Sequence, residues 1–320
     1  MKTETNKTGD GGSRVLCVVI HWGRLEDTRA CVHSLLAQIG VDFGVVVLDN
    51  GTGHDLEGAL AGTGVRIVKH PVNSGFTGGV NRAMEMARAD GADWCWLLNN
   101  DTVMETPDVL RDLLSFANAG VATVVSPILR NVTGTQARES DWSLFFPGLA
   151  LTLADTRGLL PTLLKRMTRH LRFISGTAWL VRVASTRDPL LDPAYFAYFE
   201  DVDLAMRMGE AKMAVAPTVR LTHFVSRSTG GSLLKFRYKA TNLVYLMHKH
   251  GLARRGFKIR YALCFVPSEF RHYWRQPLRF LGVARDAWTD GQQKTVPLPC
   301  LVLDLNPNRH HNRDCLREGD

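Results

Sequence analysis

The sequence predicts an α/β fold: a mostly parallel central sheet flanked by helices, followed by a helical, basic C-terminal extension. Two observations carry that prediction. Short continuous apolar runs, rich in β-branched residues, alternate with segments of helical period, which implies parallel strands covered on both faces. Two of those runs stop abruptly in polar clusters, Asp49-Asn50 and Asn99-Asn100-Asp101, and open parallel sheets bind ligands outside the carboxyl ends of their strands.

Taken in order, residues 14–22 (RVLCVVIHW) read as the first buried strand. Cys31, Val32, Leu35, Leu36 and Ile39 then recur with helical spacing over 25–39. Residues 43–52 form a second strand ending in Asp49-Asn50-Gly51, and 65–71 a third. Residues 73–90 are a glycine-rich loop opening into a helix. Residues 93–102 are the fourth strand, 105–118 a helix with Pro107 near its first turn, and 120–129 the fifth strand. After Ile128 the pattern changes, and 131–172 show no strong period. Residues 172–183 are strand-like with a Ser-Gly break. A Pro- and aromatic-rich loop over 190–211 passes into a helix, and 212–224 are a strand or a pair of strands. A helix follows from about 232 to 250, then a basic, aromatic tail. These boundaries suggest a disordered segment over 1–13 and one α/β domain over 14–250, divided at 129/130, with the extension over 251–320.

The chain has 320 residues and a formal net charge of +8. From Lys235 to Arg285 the only carboxylate is Glu269. Such a stretch suits an anionic membrane, a phosphorylated ligand or nucleic acid, or is a solvated face. No recognised nucleic-acid module accompanies it, so no nucleic-acid partner is expected. The six cysteines form no CxxC pair, which fits reduced, packed thiols in a cytoplasmic protein. No apolar signal region and no run near 18 uninterrupted apolar residues is visible.

Each chemical candidate has a plain alternative. The stretch Asn73-Ser74-Gly75-Phe76-Thr77-Gly78-Gly79 is a phosphate cradle or a glycine-rich helix start. Asp101 is an oxygen ligand for a hard cation or a cap on the next turn. Glu200, Asp201 and Asp203 follow Tyr195, Phe196, Tyr198 and Phe199. They favour a helix dipole, or one of them is a general base in an aromatic-lined setting. His223 is a metal ligand or structural, while His21, His33, His54 and His70 show no informative spacing.

The order of these motifs is more specific than any one of them. A first strand, then Asp49-Asn50, NSGFTGGVN, LLNND, SGTAWLVR, FEDVDLAMR and THF resembles the family 2 glycosyltransferases of GT-A fold. The likeness is greatest to their rhamnosyltransferase-like branch and covers roughly residues 14–250. The resemblance implies a nucleotide-diphosphate-sugar-binding sheet merged with an acceptor-binding half. It implies that Asp49, Asn50, Asn73, Gly75, Phe76, Gly78, Asn81, Asn99, Asn100 and Gly176 surround the donor. Asp101, completed by His223, would hold Mg2+ or Mn2+. Asp201, in its pair with Glu200, would be the catalytic base. Asn99 stands where the family has its first carboxylate, which bears on metal affinity. Arg237 and Asn242 match a later helix motif more loosely. The implied reaction is inverting transfer from a UDP- or dTDP-sugar, dTDP-rhamnose among them. The acceptor would be a hydroxyl of a glycan, a lipid-linked saccharide or a small metabolite. The motif order does not reach the basic extension, whose cations and aromatics suit an anionic membrane at its cytoplasmic face, a soluble phosphorylated acceptor or a partner protein alike. The alternatives are a catalytically weakened nucleotide-sugar-binding protein and, less favoured, a nucleotidyltransferase. The latter needs a Gly-rich, Arg/Lys-bearing signature where VVIHWGRLEDT offers only Gly23 and Arg24.

Overall fold

A computed structural model describes residues 13–153, 159–225, 233–270 and 273–293, with the side chains of 159–161 left aside. The segment 1–12, Ser232, Cys300, Cys315 and the end of the extension lie outside the described residues.

The elements run β1 (Val15–His21), α1 (Leu25–Leu36), β2 (Phe43–Asn50), α2 (Leu56–Ala59), β3 (Arg66–His70), α3 (Gly75–Ala89), β4 (Trp94–Asn99), β5 (Thr102–Val103), α4 (Val109–Ala119) and β6 (Val124–Thr133). Then come β7 (Gln136–Ser140), β8 (Ser143–Phe146), β9 (Leu151–Leu153), α5 (Leu159–Met167), β10 (Leu171–Phe173), β11 (Ala178–Arg182), α6 (Glu200–Met208) and β12 (Met213–Phe224). The chain continues through α7 (Leu233–Lys249), α8 (Phe257–Arg260), a π-helical turn at Tyr261–Phe265, α9 (Val266–Phe270) and α10 (Pro277–Gln293).

The main sheet has the order β3-β2-β1-β4-β11-β6-β12-β5, with β7 hairpinned onto β6. β1, β2, β3 and β4 are parallel neighbours, as are β6 and β12. The sheet is nonetheless mixed, because β11 runs antiparallel between β4 and β6. The Ser-Gly break explains how. It divides the run 172–183 into β10, which joins a small β10-β8-β9 sheet, and β11, which enters the main one. The irregular stretch 131–172 resolves into that small sheet, the β6–β7 hairpin and α5. β6 continues from Val124 to Thr133, so one strand joins the two halves divided at 129/130 in the sequence. Opposite Pro127 the register of β12 shifts between Ala216 and Arg220, as expected where a residue without an N–H interrupts a ladder.

Strand alternation builds two cores. On one face Leu16, Val18, Ile20, Val46 and Leu48 meet α3 through Val80, Ala83, Met84 and Ala87. On the other, Val15, Cys17, Val19 and Val47 meet Cys31, Val32 and Leu35 of α1 and Leu110, Leu113 and Ala117 of α4. The valine, leucine, isoleucine and methionine side chains among them contribute about 1.5–3 kcal/mol each when buried. The first core runs on without a break through Phe236 of α7 to Phe257, Tyr261, Phe280 and Ala287 of the extension. Cys17, Cys31 and Cys95 are free thiols packed inside. Burial pushes all three up, Cys31 to about 12. Among the described residues no helix is long and apolar enough to cross a membrane.

Candidate active site

Parallel registration puts the carboxyl ends of β1, β2 and β4 on one rim: His21 lies opposite Asp49, and Ile20 opposite Asn99. β12 ends at the same rim, because its His223 pairs with Thr102 just beyond β4. The Phe224 N–H donates to the Asp101 carbonyl at 2.9 Å. His223 and Asp101, 122 positions apart in the numbering, therefore meet: His223 Nε2 lies 3.5 Å from Asp101 Oδ1.

This corner fits a divalent cation. Asp101 Oδ1 is buried and accepts no hydrogen bond among the described residues, a costly state for a carboxylate oxygen. His223 Nδ1 is 2.8 Å from Asn131 Oδ1, while Asn131 Nδ2 donates to Ser140 Oγ at 2.9 Å. That orientation of the Asn131 amide makes Nδ1 the protonated nitrogen and turns the Nε2 lone pair toward Asp101. An imidazole nitrogen with a carboxylate suits Mn2+ or Mg2+ when the substrate's phosphates complete the shell. Among the described residues no group of three His, Cys, Asp or Glu is placed to hold a metal alone.

A chain of direct contacts leads from this corner to the acidic helix. The Asn99 N–H donates to Thr177 O at 2.9 Å. A Cβ on the neighbouring Gly176 would lie 2.6 Å from Phe76 Cζ, so the Phe76 ring packs directly on this glycine. Phe76 is in the first turn of α3 and stands edge-on to Trp179. Gly75, at φ 73°, presses against Phe196: a Cβ there would lie 2.2 Å from the Phe196 carbonyl oxygen. That oxygen accepts the Thr77 N–H at 3.3 Å. Phe196 stacks on Tyr238 of α7 and leads into Tyr198 and Phe199, at φ 71° and 69°. Two consecutive bulky residues in the left-handed region cost about 1–3 kcal/mol each. Asn242, fully buried in α7, holds the turn by donating to Ala197 O at 2.7 Å and Tyr198 O at 2.8 Å.

The turn delivers Glu200 and Asp201 as the first residues of α6. Glu200 is buried. Asp201 is half-buried, and its Oδ1 accepts the Val202 N–H at 2.8 Å. Burial pushes its carboxyl up to about 6, against the opposing pull of that hydrogen bond. Asp203, fully buried two residues further on, behaves oppositely. Burial would raise it, but His250, Lys249 and Arg207 donate to it and hold it down at about 2. Two carboxylates driven apart in this way differ in role: one suits proton transfer, the other a fixed charge.

Comparison with known proteins decides the family. Residues 17–188, more than half the chain, match the family model described as Glycosyl transferase family 2. The chain belongs to glycosyltransferase family 2. It is similar, at 27% identity over 262 residues, to an N-acetylglucosaminyl-diphospho-decaprenol L-rhamnosyltransferase of Mycobacterium tuberculosis, covering 74% of this chain and 78% of the relative. Its fold resembles that of the mannosyltransferase PcManGT from Pyrobaculum calidifontis, solved in complex with GDP-Man and Mn2+. The TM-score is 0.50 at 14% identity, covering 91% of this chain and 78% of that one. It also resembles S. aureus TarS 1-349 in complex with UDP, with TM-score 0.50, 13% identity and coverage of 88% and 91%. The fold is therefore GT-A.

Within this glycosyltransferase several predicted residues turn inward. Asn50 donates to Gly75 O and Asn73 Oδ1 and accepts from Ser74, so both ends of its amide hold the start of α3. Asn81 clamps the Leu191 backbone with both ends of its amide. Asn100 donates to Thr28 Oγ1 and Arg24 O. Asp49 is buried, with Oδ1 accepting from Thr52. The expected glycine loop is already helix from Gly75 on, and Asn73 Oδ1 accepts the Gly75 N–H at 2.8 Å. With Thr77 also engaged, the N–H groups at positions 75 and 77 are used within the protein rather than offered to a phosphate. Asn73 and Gly78 sit at this same helix start, and Asn99 stays partly exposed beside Asp101. Nothing in the sequence singles out Asn131, which differs from other asparagines only in its partner. Nor does it single out the pair His21 and His54, whose ring nitrogens lie 3.0 Å apart. Burial holds His21 down at about 4, so it is neutral, and it lies beside Asp49 at the rim.

Proposed function

We propose that this glycosyltransferase moves a sugar from a nucleotide diphosphate to the hydroxyl of a lipid-linked saccharide, with inversion at the anomeric carbon. dTDP-rhamnose is the first candidate donor and UDP-sugars the next; glycans and small metabolites are the other acceptors to test. The reading is carried by one arrangement: the Asp101–His223 corner and the raised carboxyl of Asp201, joined by the contacts of Gly176 with Phe76 and of Gly75 with Phe196. The M. tuberculosis relative's name supports a rhamnosyl group as the sugar moved and a lipid-linked saccharide as its acceptor, and the Mn2+ in the PcManGT complex supports a cation.

Asp101 and His223 would hold the divalent cation, which when bound neutralises charge on the departing diphosphate. Asp201 accepts the proton of the attacking hydroxyl. Its carboxyl, raised to about 6, is a stronger base than an ordinary aspartate yet is ionised at neutral pH. Attack from the face opposite the diphosphate gives inversion. Phe196, Tyr198 and Tyr238 present aromatic surface beside the base, suited to a sugar acceptor. The enzyme would work at the cytoplasmic face of the membrane, where such an acceptor is anchored.

A thermal-shift panel of dTDP- and UDP-sugars, each with and without Mn2+ or Mg2+, tests the donor. A selective, cation-dependent shift is expected, greatest with dTDP-rhamnose; no shift with any nucleotide sugar would refute the reading. Asn99, in place of a carboxylate, favours one second reading, a donor-binding protein of weak activity. Donor binding without turnover on any acceptor would select it.

A further inference from the structure

We infer that the outer face of the C-terminal helices is a docking surface for an anionic lipid bilayer. The α8–α9 run and α10 lie side by side and antiparallel. Tyr261 OH donates to Ala284 O at 2.9 Å, Phe257 meets Trp288 at 5.2 Å between ring centroids, and Phe270 meets Phe280 at 5.4 Å. Both helices seat their inner faces on α7, where Phe236 stacks on Phe265 and Phe280. The inner faces therefore have their partners.

The outer faces do not. Ile259, Leu263, Trp274, Leu278 and Leu281 are between 53% and 83% exposed. They are five of the twelve large apolar side chains exposed among the described residues, gathered within residues 259–281. The i,i+4 spacing of Ile259 and Leu263, and the i,i+3 spacing of Leu278 and Leu281, sets each pair on one helix face. Cations surround them: Arg254, Arg255, Lys258, Arg275 and Arg279 are exposed. No carboxylate among the described residues pairs with these five. Glu269 is engaged by Lys239, Asp290 by Arg237 and Asp286 by Arg285.

Charge and apolarity together select the partner. A second copy in a two-fold contact would bring these cations against themselves. Nucleic acid would answer the charge and leave the leucines in water. An anionic interface answers both: arginines at the headgroups, leucines and tryptophan at the acyl boundary. The surface also shares α7 with the candidate site, since Tyr238 and Lys235 of that helix meet Phe196 and Tyr198 of the turn that precedes Asp201. The inference rests on the proposed reaction for its purpose, delivery of a lipid-anchored acceptor, and not for its evidence.

Sedimentation of the full chain with phosphatidylcholine vesicles, with and without phosphatidylglycerol, tests it. Binding is expected only with phosphatidylglycerol and should weaken as salt rises. Leu278→Glu with Leu281→Glu should lower partitioning at least about tenfold. Arg275→Glu with Arg279→Glu should lower it roughly fivefold per charge. Both variants should keep the wild-type melting temperature and the nucleotide-sugar thermal shift. The inference is overturned if wild type ignores anionic vesicles, or if both variants bind as wild type does. It is equally overturned if the chain binds nucleic acid instead, or if light scattering shows a dimer that the leucine variant dissociates. The donor shift reports on the reaction separately: its loss with vesicle binding intact sinks the reaction and leaves the surface standing.

Discussion

At the residue scale the site turns on how three adjacent carboxylates are sorted. Sequence placed Glu200, Asp201 and Asp203 together; only their surroundings distinguish them. Asp201→Asn should lower turnover by roughly 10²–10⁴-fold, the usual contribution of a general base, while leaving the donor thermal shift intact. A base acts when deprotonated, so kcat/KM should rise with pH through about 6 and then level. That limb should be missing from the residual activity of the asparagine variant. His223 depends on Asn131 for its tautomer. Asn131→Leu should therefore weaken Mn2+ binding about 10–100-fold by calorimetric titration, with the fold intact by circular dichroism; unchanged affinity would remove Asn131 from the cation corner.

At the scale of the element, the start of α6 is shaped by helices distant in sequence. Asn242 fixes the left-handed turn that precedes it, and Asp203 ties it to the end of α7 through Lys249 and His250. Asp203→Ala removes the buried acceptor shared by Arg207, Lys249 and His250; Lys249 keeps Asp192 at 2.7 Å, so about 1–3 kcal/mol of stability should be lost in urea unfolding. The pH dependence has a definite sign. Asp203 is held below its ordinary 3.8, so its stabilisation is full above about pH 4 and lost as pH falls through about 2. Asp201, raised to about 6, contributes oppositely: its share is present below 3.8 and lost as pH rises through 6. Gly75→Ala forces a Cβ into the Phe196 carbonyl at a positive φ. Unfolding should show a loss of at least about 1–2 kcal/mol, the cost of the left-handed conformation alone; a neutral result would mean that α3 can shift away from the turn.

At the scale of the whole molecule, the alternation of strands and helices was legible because both periods are local. The runs 14–22, 43–52 and 93–102 hold β1, β2 and β4, and the helical spacings hold α1, α3, α4 and α7. The polar strand ends were legible as a rim for the same reason. The antiparallel insertion of β11 was not, since direction in a sheet depends on which strand accepts it, and nothing within Ala178–Arg182 encodes that. The inward turn of Asn50, Asn81 and Asn100 was equally hidden, because an amide reads the same in sequence whether it holds a backbone or a ligand. By itself, then, the chain's order of residues determined the family, the run of elements and the short list of carboxylates and histidine, all properties of spacing and residue type. Tertiary structure alone decided which of them meet and with what proton affinity. Burial, hydrogen-bond partners and long-range contacts set those, and they come from residues far apart in the chain, as His223 and Asp101 are.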